Sequence, residues 1–249
     1  MGIKYLLPVL LTGFLAFSCR EIEDPFQLPD VEDGDYYPLE PGKYWIYEVD
    51  SIIFDKNAPK PVDTAYYWVK EVVADTFFDL GQMLWYRIER YEKPRPADSV
   101  TWTIRQDLAA TIDENQALRL ENDLTFIKML FPITPFEKWD GNSHFNPGII
   151  VTVSGESIEM FKGWDYQVIS AGVPDTIGGV AYSEVSTIRN ADSENLIELR
   201  YAQEKYARDA GLVERELRIL DTQQIDEFIP WEEKAEKGFI LRQRLVESN

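Results

Sequence analysis

The sequence predicts an all-β fold, a curved antiparallel sheet in the form of a half-barrel or a barrel-like single domain, with at most short helices. Short runs rich in Tyr, Trp, Val and Ile recur along the chain, and turn residues separate them at the regular spacing of a sandwich or barrel. Apolar residues make up 45% of the 249 positions, which is enough for one sizeable core. This composition excludes a disordered chain.

The first half of the chain contains four predicted strands. They cover residues 44–49, 65–74, 83–91 and 100–105. Segments 57–61 and 93–96 each carry prolines, and proline cannot donate a hydrogen bond to a strand ladder. Both segments are therefore predicted to be hairpin loops.

The second half continues the same rhythm. Its predicted strands cover residues 125–133, 149–153, 164–171, 180–188, 196–206, 212–220 and 238–246. Turns are expected at Gly178-Gly179 and at 209–211. The apolar residues of 105–124 fit either a helical or a strand period, and we favour strands there.

The alternation within strands predicts which face is buried. Trp45, Tyr47 and Val49 share one face of the first strand, and we expect that face to lie inside because Glu48 belongs on the other. Carboxylates on or beside strands are interpreted as members of solvated faces. They are Glu48, Asp50, Glu71, Asp75, Glu89, Glu156 and Glu184.

The first 18 residues are predicted to be a signal peptide, with Lys4 followed by an apolar run and the small Ser18. The next residue, Cys19, is the sole cysteine, so it cannot form an internal disulfide. Residues 15–19 resemble a bacterial lipobox, which predicts lipidation of Cys19 and anchoring to a membrane through acyl chains. The alternative is an ordinary signal peptide cleaved nearby, which leaves an unmodified cysteine.

The rest of the chain divides into two parts. Residues 19–35 are rich in acids and contain Pro25 and Pro29, so we expect a flexible tether there. Residues 36–249 form the predicted β domain. The formal net charge of the chain is −19, which repels phosphate backbones and excludes nucleic acid as an expected partner.

A search for catalytic chemistry finds no motif. His144, the sole histidine, follows Gly141-Asn142-Ser143 in a predicted loop, and no Cys, His, Asp or Glu cluster at metal-ligand spacing surrounds it. The chain has neither a nucleophile elbow nor a phosphate-binding glycine loop. We therefore expect no catalytic residue, no metal, no cofactor and no enzyme activity, although the abundant carboxylates leave a glycosidase-type pair open.

The run YYPLEPGKYWIYEVDS at 36–51 resembles the opening of a family of uncharacterised Bacteroidota lipoproteins. The similarity continues at 131–132 with 139–142, at 204–207 with 211–213, and at 238–241. This resemblance implies an outer-membrane lipoprotein of the cell envelope, periplasmic or surface-exposed, and no established activity. More distantly, a curved sheet of this kind is similar to the half-barrel of envelope lipoprotein carriers, an analogy that does not transfer function.

Aromatic residues are the remaining functional signal. Core and sheet packing accounts for most of them. The functional hypothesis is that Trp45, Tyr47, Trp85 and Trp102 line a concave groove that holds an apolar or glycan ligand. The alternatives are a non-catalytic subunit of an outer-membrane assembly, which meets an envelope protein partner, and a carboxylate-based hydrolase.

Overall fold

The computed structural model describes residues 31–96 and 100–249. It contains fourteen strands, a 3₁₀ helix at Gly34–Tyr36 and one short helix, α1, at Trp231–Lys234. The predicted all-β fold with short helices is confirmed. Cys19 and the predicted signal peptide lie outside the described residues. Within those residues, no helix combines the length and the hydropathy that crossing a membrane requires.

All eleven predicted strands overlap observed ones, most of which are longer than predicted, whereas the short strands at 138–139 and 156–158 were not predicted. The predicted hairpin loop at 93–96 is wrong in its first half, because Lys93 and Pro94 belong to a strand and lie opposite Trp68 and Tyr67. The bounds of the observed strands are β1 Tyr44–Asp55, β2 Val62–Phe78, β3 Leu84–Pro94, β4 Thr103–Ile112, β5 Gln116–Glu121, β6 Leu124–Leu130, β7 Lys138–Trp139, β8 Val151–Val153, β9 Glu156–Ile158, β10 Trp164–Ile177, β11 Val180–Glu194, β12 Glu198–Ala207, β13 Gly211–Asp221 and β14 Lys237–Ser248. The ambiguous stretch 105–124 forms strands, as favoured.

Twelve strands form one antiparallel sheet in the order β6-β5-β4-β3-β2-β1-β14-β13-β12-β11-β10-β7. Neighbouring strands of this sheet follow one another in the chain, except where β1 pairs with β14 in the middle of the sheet and where β10 pairs with β7 at one end. In that pairing Val49 lies opposite Gln243. Strands β8 and β9 form a separate hairpin.

The large sheet is strongly curved and is not closed. Its end strands, β6 and β7, are joined by residues 131–137 alone, so the two ends must lie close together. Two hydrogen bonds bridge them at this point. The Ile127 amide donates to the Gly141 carbonyl at 2.9 Å, and Trp139 Nε1 donates to the Ile127 carbonyl at 2.9 Å. The fold is therefore an incomplete barrel with its opening beside β6.

Side chains alternate between the two faces of this curved sheet. Trp45, Tyr47 and Val49 are buried on the inner face, whereas Glu48 is half-buried, which confirms the predicted orientation of the first strand. The inner face holds the main hydrophobic core. A smaller core on the outer face, under α1, consists of Phe54, Leu199, Leu220, Trp231 and Ile240.

The chain is already part of the fold before Tyr36. Val31 packs against the main core, and Asp33 Oδ2 accepts a hydrogen bond from the Ile133 amide at 3.0 Å. Asp33 also forms an ion pair with Arg208 at 3.0 Å. The last five residues of the predicted tether thus contact the β domain.

Candidate functional site

The inner face carries charged side chains as well as apolar ones. Seven of them form what we call the interior ion network: Glu71, Arg90, Arg119, Glu121, Lys128, Glu204 and Arg215. They come from six strands on both sides of the incomplete barrel. Because the strands curve towards one another, charges that are distant in the chain meet in the interior.

The position of Glu71 differs from the one predicted from the sequence. The sequence placed it on a solvated face, but its residue surface is only 3% exposed. The alternation of β2 explains the position, because the buried Val69 and Val73 flank it two residues away on each side. A carboxylate tolerates this site since Arg90 and Arg119 form ion pairs with it at 2.8 and 2.7 Å.

Glu121 completes the first half of the network. It accepts from Arg90 at 2.8 Å and from Arg119 at 3.1 Å, the same two arginines that bind Glu71. Two carboxylates and two guanidinium groups therefore balance one another. This half of the network has no net charge.

Glu204 is the centre of the second half. Lys128 Nζ lies 2.7 Å from its carboxylate, and Arg215 Nε donates to it at 2.8 Å. The Tyr206 hydroxyl donates a further hydrogen bond at 2.9 Å. Two cations share one carboxylate here, so this half carries one excess positive charge.

The buried carboxylates are held in their ionised form. Burial alone raises the pKa of Glu204, but the charges of Lys128 and Arg215 outweigh it and lower the pKa to about 2. The same competition lowers the pKa of Glu71 and holds that of Glu121 well below its usual range, with Arg90 and Arg119 as the opposing charges. At neutral pH all three carboxylates are therefore ionised, and they accept hydrogen bonds but cannot donate them.

Arg215 has hydrogen-bond donors that are not engaged by the ion network. Its side chain is 11% exposed, and Nε is occupied by Glu204. Among the described residues, Nη1 and Nη2 have no hydrogen-bond partner. A guanidinium stays charged at every physiological pH, whereas a buried ammonium such as that of Lys128 can lose its proton. We therefore assign the excess positive charge of the network to Arg215.

A groove lies beside the second half of the network, at the opening of the barrel. Its volume is about 460 Å³. The floor includes Lys128, Glu204 and Arg215, and Leu217 lies next to them on β13. The rest of the apolar lining is Leu124, Phe126, Ile149, Ile150, Val151, Met160, Phe161 and Trp164, and the rest of the polar lining is Glu121, Asn122, Thr152 and Asn190.

Aromatic packing shapes one wall of this groove. The ring of Phe126 lies 5.6 Å from that of Phe161, which in turn lies 5.2 Å from the ring of Trp164. Trp164 Nε1 donates to the Met160 carbonyl at 2.8 Å, so the polar atom of the indole is already satisfied. The wall therefore presents mainly apolar surface.

A second, much smaller space lies elsewhere on the inner face, beside the segment 37–39. Its volume is about 30 Å³, and its lining includes Trp45, Tyr47, Arg119 and Arg215. A space of this size suits one or two water molecules and not an organic ligand. Arg215 lines both this cavity and the groove, and so lies between them.

The four aromatic residues predicted to bind a ligand are not brought together. Trp45 and Tyr47 are buried in the main core, at 5% and 2% exposure. Trp85 lies on the outer face, opposite in alternation to the buried Tyr86, and its Nε1 donates to Asp79 at 3.1 Å. Trp102 precedes β4, with the Lys93 ammonium 4.9 Å from its ring centroid. Their role in ligand binding stays a prediction.

Sequence reasoning missed the residues that line the groove. Lys128, Glu204 and Arg215 were not singled out, since a charged residue in a strand is ordinarily assigned to solvent. The alternation contains a signal for two of them. Glu204 lies between the buried Ala202 and Tyr206, and Arg215 lies two residues beyond the buried Val213.

The loop that follows β7 holds His144, which is exposed in a turn as predicted. Within residues 31–96 and 100–249, no group of three or more His, Cys, Asp or Glu side chains could hold a metal ion.

Comparisons with known proteins find distant structural similarity and no family. No family model and no curated protein matches the chain. Similar solved structures include a Bacteroides fragilis protein described as exported, with a YmcC-like fold (10% identity, TM-score 0.37, 85% of this chain and 97% of that one). Another is a Parabacteroides distasonis protein described as a lipoprotein (11% identity, TM-score 0.36, 86% and 98%). With TM-scores below 0.5, neither supports an argument about this chain.

Proposed function

We propose that the protein binds an apolar chain in the groove and holds it at the cell envelope, where the lipid predicted on Cys19 anchors the domain. The observation that supports this most is the groove itself. Its volume of about 460 Å³ lies in the range of small-molecule sites, and its walls are predominantly apolar. Each methylene of a ligand buried there contributes about 0.8 kcal/mol.

The lining favours an apolar ligand over a glycan. Sugar hydroxyl groups that leave water need hydrogen-bond partners inside the site. The indole nitrogen of Trp164 is already bound to Met160, and Lys128 is bound to Glu204. The groove therefore offers a wide apolar surface beside a small number of polar atoms without a partner among the described residues, including Nη1 and Nη2 of Arg215 and Oδ1 of Asn190.

Binding is also a better proposal than hydrolysis. A glycosidase needs one carboxylic acid whose pKa is raised so that it can donate a proton. The pKa values of Glu71, Glu121 and Glu204 are all lowered by neighbouring cations. We propose that these carboxylates organise the interior and perform no chemistry.

The test is calorimetric titration of the domain with 1-decanol, an apolar chain without charge. The proposal expects measurable binding that Leu217→Trp weakens by at least about tenfold, because the larger ring occupies the groove. Val246→Trp is the matched control, since Val246 is 47% exposed at the end of β14. Absence of binding to the native protein, or equal binding by the two variants, would contradict the proposal.

A second candidate is a non-catalytic subunit of an envelope assembly. It is favoured by apolar side chains at the turn between β2 and β3, where Leu80 is fully exposed and Phe77 is 42% exposed. If a partner binds this turn, Leu80→Ser should abolish the cellular role while leaving 1-decanol binding unchanged. An effect of Leu217→Trp alone would reject this candidate.

A further inference from the structure

We propose that the ligand of the groove is an anionic amphiphile, with its tail along the apolar wall and its anionic head on the free guanidinium nitrogens of Arg215. This inference rests on the proposed function and specifies its ligand class. Three features support this ligand class: the excess charge of the ion network, the free donors of Arg215 and the position of that residue at the floor of the groove.

The charge balance of the interior points to an anion. The network contains four cations and three carboxylates, so as a whole it carries one excess positive charge. Lys128, Glu204 and Arg215 line the groove together with Glu121, whose carboxylate is already paired with Arg90 and Arg119. An uncompensated buried charge is costly, so a negative group at this position would be stabilised. The chain as a whole carries −19, so a generally basic surface does not explain this local excess.

The free donors of Arg215 fit the same conclusion. Nε is bound to Glu204, whereas Nη1 and Nη2 have no partner among the described residues. These two groups present parallel N–H donors, an arrangement that matches the two oxygens of a carboxylate or phosphate. Neutral apolar ligands would leave these donors unused.

The apolar wall accounts for the second part of the ligand. Phe126, Phe161 and Trp164 line the groove together with residues of the β8–β9 segment, within the same space as Arg215. An anion without a tail gains nothing from this surface. The combination of one charged floor position and an extended apolar wall therefore specifies an amphiphile.

The first experiment compares ligands with matched tails on the native protein at pH 7.5. Sodium decanoate should bind at least about tenfold more tightly than 1-decanol, the expected advantage of hydrogen bonds to a charged group. Decylammonium should bind more weakly than either, and acetate, which has the head without the tail, should bind far more weakly than decanoate. Equal affinities for decanoate and 1-decanol, or for decanoate and acetate, would overturn the inference.

The second experiment assigns the head group to Arg215. Arg215→Met removes the guanidinium but leaves Glu204 and Lys128 as a balanced pair, so the domain should fold. The variant should lose decanoate affinity by about 10- to 100-fold and keep its affinity for 1-decanol. Lys128→Met is the matched control, because it removes one positive charge and leaves the free donors of Arg215 in place.

The outcomes separate this inference from the proposed function. If Lys128→Met loses less affinity for decanoate than Arg215→Met does, the assignment to Arg215 is supported. Equal losses of affinity in the two variants overturn it. If Arg215→Met does not fold, Arg215→Lys is the second variant, because it retains the charge without the paired donors. Its preference for decanoate over 1-decanol should be smaller than that of the native protein but still present. Binding of 1-decanol without preference for decanoate defeats the inference alone, whereas binding of neither ligand defeats the proposed function as well.

Discussion

Trp45 lies in the main core, and its indole Nε1 donates to the Ala210 carbonyl at 2.6 Å. Trp45→Ala should lower the free energy of unfolding by roughly 3 to 5 kcal/mol, the usual cost of deleting a buried indole. Chemical denaturation of the domain measures this, with the half-buried outer-face Trp85→Ala as the control. A loss below about 1 kcal/mol for Trp45→Ala would contradict its placement in the core.

Glu204 is expected to contribute to the acid stability of the interior. Its pKa in the fold, about 2, lies below the ordinary value of 4.5, so its charge stabilises the fold above about pH 4.5. That contribution, on the order of 3 kcal/mol, should disappear as the pH falls from 4.5 towards 2. Denaturation curves across this range should show a smaller dependence on pH for Glu204→Gln than for the native protein.

The same substitution should be costly at neutral pH. Glu204→Gln leaves Lys128 and Arg215 buried together without a counter-charge, and breaking a buried pair in this way costs about 3 to 5 kcal/mol. Glu48→Gln is the control, because Glu48 is half-buried and its ion pair with Arg95 is worth about 1 kcal/mol or less. Similar losses for the two variants would show that the network is not a buried one.

At the scale of elements, β14 is the strand that holds the two halves of the sheet together. It pairs with β1 on one side and β13 on the other, although β1 comes from the opposite end of the chain. Gly238 near its start has a φ of +116°, and a Cβ at this position would lie 2.0 Å from the Ile219 carbonyl oxygen. Only glycine permits this approach of the two backbones.

Gly238→Ala should therefore destabilise the fold by at least about 3 kcal/mol, since backbone strain and a steric clash act together. Gly179→Ala is the matched control. Gly179 also has a positive φ, of +86°, but no atom lies within 4 Å of its added Cβ. Its loss should be only about 1 to 2 kcal/mol in the same denaturation assay.

At the scale of the whole molecule, the predicted lipid on Cys19 is the expected link between the β domain and a membrane. Cys19→Ala should release the protein into the soluble fraction, because the acyl chains supply the binding energy for the bilayer. The domain should stay folded, since the sole cysteine has no disulfide to lose. Membrane fractionation after a salt wash and circular dichroism measure the two effects, and a variant that still sediments with membranes would locate the anchor elsewhere.

Much of the fold follows from the sequence because strand signals are local. Alternation, proline-containing loops and glycine turns identified the strands and the buried face of β1 without any tertiary information. The position of β7 and the pairing between β1 and β14 could not be predicted in this way. They depend on contacts between segments that are far apart in the chain, for which the sequence contains no local signal.

The sequence by itself determined the strand content, the turns, the orientation of Trp45 and the exposed position of His144. Only the tertiary structure decided that Glu71, Glu204 and Arg215 meet opposite charges in the interior and that the groove lies beside β6. The physical reason is that a charge enters a core only where opposite charges from other strands meet it, and curvature of the whole sheet controls that meeting. Local alternation places a side chain on a face, but the curvature of the whole sheet gives that face its partners.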